Sequence, residues 1–159
     1  MKVLRLHTDE LPQFKRPVIT IGAFDGFHLG HREIVNRVCN IAKAQDSDSV
    51  LITFDPHPRK ILDQDNSQKY LLNSTEEKIA LMSESELDYL ILVPFSIEFS
   101  QMVAEEYVEN FLIRFFQPGT LVIGFDHRFG MNSEGDVRLL KKFSDQGKFR
   151  LVEISRQEM

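Results

Sequence analysis

Two histidines, His28 and His31, stand three residues apart with Gly30 between them, directly after the apolar run 18–22 and at the head of an amphipathic segment. At a helix start this spacing puts both rings on nearly one face, where they can reach a single anion bound at the positive end of the helix. A glycine there removes the side chain that would hold a phosphate away from the backbone. The chemistry these residue types suit is stabilisation of charge on a phosphate. Zinc fits poorly, because a tetrahedral site needs further ligands and none accompanies the pair. Helix capping or loop hydrogen bonding by the two rings is the purely structural alternative.

Two further loops after apolar runs carry unusual residues. Thr53-Phe54-Asp55-Pro56-His57-Pro58-Arg59 places prolines on both sides of His57, restricting the backbone and holding that ring in a defined direction. Gly124-Phe125-Asp126-His127-Arg128-Phe129-Gly130 combines aromatic rings with charge. A rigid turn, a helix cap at Asp126 and core packing of Phe125 are the structural alternatives. Glu105, Glu106 and Glu109 read as a solvated helix face, and Phe95, Phe99, Phe111, Phe115 and Phe116 as packing. Cys39, the one cysteine, reads as core filler among Ile34, Val35, Val38 and Ile41.

The pattern Gly22-x-Phe24-Asp25-Gly26-x-His28-x-Gly30-His31 resembles the HxGH motif of the α/β nucleotidyltransferases, in the flanking form of the bacterial bifunctional riboflavin kinase/FAD synthetases. Residues 53–59 resemble that family's FDPHP segment, and residues 124–130 its GxDxxFG motif. The resemblance implies transfer of AMP from ATP to FMN, giving FAD and pyrophosphate. It makes His28 and His31 the catalytic pair and places Gly22, Ala23, Phe24, Asp25, Gly26 and Gly30 around the nucleotide. Phe54, Pro56, His57, Arg59, Asp126, Arg128 and Phe129 fall on the flavin side, where an aromatic ring suits a flat isoalloxazine. Mg2+ is implied with ATP, held mostly by phosphates, and no residue is assigned to it.

Members of that family continue with an ISSTxIR motif and a riboflavin kinase domain, and the surroundings of Ser155 and Arg156 do not match that motif. The expectation is therefore a single domain over 1–159, cut before the last motif, of low activity, lacking its covalent riboflavin kinase partner. Another HxGH adenylyl- or cytidylyltransferase, and a non-catalytic flavin or nucleotide sensor, remain open as alternatives.

The elements that must position these loops follow from periodicity. Short β-branched or aliphatic runs at 18–22, 50–54, 89–93, 120–124 and 149–154 read as buried strands. Segments 32–44, 74–86, 104–116 and 134–146 carry apolar residues at three- and four-residue intervals and read as helices. Ser74 and Glu77 have capping-box spacing, while Pro118-Gly119 and Gly147 are stop signals. Strict alternation of such elements predicts an α/β, Rossmann-like doubly wound parallel five-stranded sheet with helices on both faces. In that fold ligands bind outside the carboxyl ends of the strands, where the motif loops fall. The irregular stretch 55–73 is of a length usually functional or mobile in a compact domain.

A net charge of −5 argues against a general nucleic-acid binder. The longest apolar runs are far too short to cross a bilayer, and the first residues lack the apolar core of a secretion signal. The expected setting is cytoplasmic, with ATP and FMN as the small-molecule partners and no membrane.

Overall fold

A computed structural model describes residues 1–24, 29–56 and 74–159. One sheet holds β1 (Lys2–Arg5), β2 (Val18–Ile21), β3 (Ser49–Phe54), β4 (Tyr89–Val93), β5 (Thr120–Gly124) and β6 (Arg150–Ile154). Every pairing is parallel, in the order β1-β4-β3-β2-β5-β6. The α/β doubly wound class is as expected, but the expected count of five strands becomes six. The added strand, β1, is four residues long and buries only Leu4 well, so its apolar pattern is faint. Backbone pairing along β4, from Lys2↔Tyr89 to Arg5↔Leu92, makes it a strand.

The helices are α1 (Leu29–Gln45), α2 (Thr75–Ser83), α3 (Ile97–Ser100), α4 over 104–116 and α5 (Val137–Asp145). Within α4 the seven residues Tyr107–Ile113 are π-helical, between α-turns Ala104–Glu106 and Arg114–Phe116. Alternate strand residues feed two cores. Ile19, Val50, Ile52, Ile91, Leu121 and Ile123 pack with Val108, Phe111 and Leu112 of α4 and with Leu140 and Phe143 of α5. Val18, Leu51, Leu90, Leu92 and Val122 pack on the opposite face with Ile34, Val35, Val38 and Cys39 of α1 and Met82 of α2. Each such aliphatic side chain contributes roughly 1.5–3 kcal/mol of transfer free energy when buried. The period of two along each strand is thus what divides the helices between the faces.

Helix ends follow local chemistry. Ser74 Oγ accepts from the Glu77 N–H at 3.1 Å and donates to the Glu77 carboxylate at 3.3 Å, which realises the hydroxyl half of the anticipated capping box, with the carboxylate bonded to the hydroxyl. α1 ends at Asp46, whose φ of 52° is left-handed, with the Ser47 N–H bonded to the Ala42 carbonyl at 2.8 Å. Gly147 closes α5 at φ 79°. The helix expected from 134 begins only at Val137. Gly135 instead forms an antiparallel bridge with Phe129, and extended Asp136 caps α5 by accepting from the Arg138 N–H at 3.0 Å.

Candidate active site

The strand order fixes where a crevice can form. From β2 the chain proceeds outward through β3 and β4, then returns to the other side of β2 as β5. Connections on either side of that reversal leave toward opposite faces, so the loops after β2 and β5 flank an open crevice at the carboxyl edge. The first loop leads into the N-terminus of α1, the positive end of its dipole, which favours an anion. The second carries residues 125–130.

Two cavities meet there. The smaller, about 160 Å³, is lined by Gly22, Ala23, Phe24, His31, Asp126 and His127, among others. The larger, about 580 Å³, is walled by Phe54, Phe95, Phe99, Tyr107 and Phe129, with Arg128 at its edge. Gly22, Ala23 and His127 line both, so the cavities adjoin at one point.

Most of the expected residues that can be placed line this pair of spaces. His31 is half-buried in the first turn of α1, its ring edge-on to Phe24 with centroids 5.2 Å apart. Phe24 is buried and holds a φ of 49°, uncommon for an aromatic residue. Gly22 lies against it: a β-carbon there would come 3.2 Å from the Phe24 ring. Gly30 is the second residue of α1. Phe54, Arg128 and Phe129 line the larger cavity, whereas Asp126, expected with them, lines the smaller. Pro56 is half-buried after a cis peptide bond and lines neither cavity. Asp25, Gly26, His28, His57 and Arg59 lie outside the described residues.

Five residues outside the expected site set take part. Phe95 and Phe99, read as packing, pack against the core and also form cavity wall. Tyr107, the first residue of the π-helical segment, is 5% exposed, and among the described residues its hydroxyl has no hydrogen-bond partner. Burial pushes its phenol well above the ordinary range. Tyr107 lines the larger cavity, and a buried hydroxyl without a partner costs its own desolvation. Lys78, on α2, is buried and donates to the Ala23 carbonyl at 2.6 Å. At sequence level it looks like any solvated lysine in a helix. His127 is half-buried, its ring stacked on Phe129 at 5.8 Å. Burial lowers its pKa to about 4 against the opposing pull of Asp126, so it is a neutral imidazole at pH 7.

A cavity beside a helix start, adjoining a chamber walled by aromatic rings, suits a phosphate-bearing ligand with a flat ring. Comparison with known proteins decides the family. A profile of the FAD synthetase family matches residues 11–159.

The chain belongs to the FAD synthetase family.

Curated relatives are bifunctional riboflavin kinase/FMN adenylyltransferases. The protein from Buchnera aphidicola subsp. Schizaphis graminum is 35% identical over 86% of this chain and 44% of its own length. That from Listeria monocytogenes is 32% identical over 99% and 50%, and that from Escherichia coli K12 31% over 89% and 45%. The chain therefore spans about half the length of these relatives. Among solved structures, a macrolide-efflux protein from Streptococcus pneumoniae superposes with a TM-score of 0.78 at 21% identity, covering 98% of this chain and 50% of that one. A pantoate-beta-alanine ligase from Francisella tularensis gives 0.55 at 13% identity, covering 94% and 62%. At those identities the likeness is one of fold. The FAD synthetase match extends across β2, the α1 start and the β5 loop, which bound the crevice.

Proposed function

We propose that this domain transfers the AMP moiety of ATP to FMN, forming FAD and releasing pyrophosphate. The observation that carries the reading is the junction of the two cavities. The cavity lined by His31 in the first turn of α1 adjoins, at Gly22, Ala23 and His127, a chamber walled by five aromatic rings.

In this reading the triphosphate occupies the smaller cavity and the isoalloxazine the larger. A phosphate oxygen of FMN attacks the α-phosphorus of ATP, the bond to the bridging oxygen breaks, and pyrophosphate leaves. The nucleophile is already anionic at neutral pH, so the protein's task is alignment and charge stabilisation. His31, with His28, would donate to the phosphate oxygens as charge accumulates on them, assisted by Gly30 and the first amides of α1. Asp25 and Gly26 belong to the same nucleotide loop.

Phe54, Phe129 and Tyr107 would flank the flavin, and Arg128 would meet its phosphate from the rim. His57 and Arg59, following Pro56, are proposed on the same side. Asp126 would sit where the substrates meet, next to neutral His127. Magnesium would arrive with ATP, whose oxygens suit it. Among the described residues no group of three or more His, Cys, Asp or Glu could hold a metal. Also among them, no helix is long and apolar enough to cross a membrane. The riboflavin kinase activity named for the relatives belongs, on this proposal, to the part of those proteins that this chain does not match.

Incubating the chain with FMN, ATP and magnesium, and following FAD and pyrophosphate by chromatography, tests the reading. Equimolar FAD and pyrophosphate are expected, with CTP a poor substitute for ATP. Binding of flavin without any FAD would leave a sensor rather than an enzyme.

A further inference from the structure

The loop between β2 and α1 is held from within by two side chains that converge on one oxygen. The Lys78 ammonium donates to the Ala23 carbonyl at 2.6 Å, and the Thr53 hydroxyl donates to the same carbonyl at 3.1 Å. Both donors are buried, Lys78 at 3% exposure and Thr53 at 1%. They approach from the face covered by α1 and α2, since Lys78 lies on α2 one turn from buried Met82. Burying an ammonium costs several kcal/mol of desolvation, so a lysine here carries a penalty that a neutral residue would avoid.

The peptide bond after Ala23 is trans, and in a trans peptide the N–H points opposite to the C=O. With the Ala23 carbonyl drawn toward α2, the Phe24 N–H is turned to the other side. Both residues line the smaller cavity beside His31. Among the described residues nothing accepts from that N–H. The left-handed φ of 49° at Phe24 marks a strained backbone, which persists only where its surroundings over-determine it.

Resting on the functional reading above, we propose that Lys78 is a positioning residue for the phosphate site. Together with Thr53 it fixes the Ala23–Phe24 peptide so that the Phe24 N–H donates to an oxygen of the bound triphosphate. Without the lysine this peptide can turn over, which exchanges a donor for a carbonyl oxygen that repels phosphate.

Calorimetric titration of ATP with magnesium into wild type, Lys78→Met, Thr53→Val and the double variant tests this. Lys78→Met is expected to weaken ATP binding about tenfold, the scale of one hydrogen bond to a charged group. Thr53→Val should weaken it less, and the double variant should lose less than the two effects multiplied, because both act on one peptide. In 15N-labelled protein the Phe24 amide proton should move downfield on ATP binding in wild type and not in Lys78→Met. If Lys78→Met does not fold, Thr53→Val alone must show the weaker binding and the smaller amide shift. Equal affinity and an equal Phe24 shift in a folded variant would overturn the proposal. So would a double variant with fully independent effects, since the lysine would then act through its charge alone. A wild-type chain that binds no ATP sinks the functional reading and this proposal together, whereas wild-type binding matched by Lys78→Met sinks the proposal alone.

Discussion

At the scale of single residues, His31 and Tyr107 separate chemistry from packing. On the proposed function, His31→Ala removes a donor to the phosphates and should lower the rate of FAD formation roughly a hundred- to thousandfold. Loss of its edge contact with Phe24 should cost only about 0.5–1.5 kcal/mol of stability. Steady-state kinetics beside a thermal melt checks both, and a variant with wild-type turnover removes His31 from the reaction. Tyr107→Phe is expected to do the reverse. It deletes a buried hydroxyl without a partner among the described residues, so stability should hold or rise by up to about 1 kcal/mol. FMN affinity should meanwhile fall about two- to tenfold if that hydroxyl meets the flavin. Fluorescence titration with FMN reads this, and unchanged affinity returns Tyr107 to the core. His31 was legible from sequence because histidine, glycine and a helix start act together within a few residues. Tyr107 and Lys78 were not, since an aromatic at core spacing or a lysine on a helix looks the same whichever way it faces. Only the third dimension brings Lys78 to Ala23, 55 residues away in the chain.

At the scale of elements, the β5 loop is shaped by glycines that admit no side chain. Gly135 faces Phe129 across their bridge, and a β-carbon at 135 would overlap the Phe129 ring. Gly135→Ala must therefore displace a ring that walls the larger cavity, and is expected to weaken FMN binding more than tenfold and to lower the melting temperature. Normal flavin binding by this variant would show that the Phe129 ring is not part of the flavin wall. Gly130 has φ +79° and would place a β-carbon 2.9 Å from Ala104 Cα. Gly130→Ala should cost about 1–3 kcal/mol, read by urea denaturation. The reading of 134–146 as helix ran three residues early: Glu134, Gly135 and Asp136 carry no apolar side chain, the Phe129–Gly135 bridge claims the backbone, and extended Asp136 caps the helix that starts at Val137. Strands β2 to β6 were legible because they bury apolar residues on one or both faces. β1 was not, because an edge strand of four residues depends on its neighbour's hydrogen bonds rather than on its own pattern.

At the scale of the whole molecule, the sheet order sets the crevice and the crevice sets an unusual ionisation. His127 stands where the two cavities adjoin, and its burial lowers its pKa to about 4 from the ordinary 6.5. Between those values the unfolded chain takes up a proton that the folded chain does not, so stability is complete above pH 6.5 and declines as pH falls toward 4. From pH 7.5 to pH 5 the loss from this one group should be about 2 kcal/mol. Asp136 and Glu158, which hydrogen bonds from Arg138 and Ser155 hold below their ordinary values, lose their contributions only at lower pH, as each is protonated through its folded-state range. The interval from 6.5 to 5 therefore isolates the histidine from these carboxylates. Urea denaturation of wild type and His127→Gln at pH 7.5 and 5 gives the measurement: the stability difference between the two proteins should shift by about 2 kcal/mol in favour of the variant at the lower pH. An unchanged difference would mean that His127 takes up its proton in the folded state, which would place a cation rather than a neutral ring where the two cavities meet.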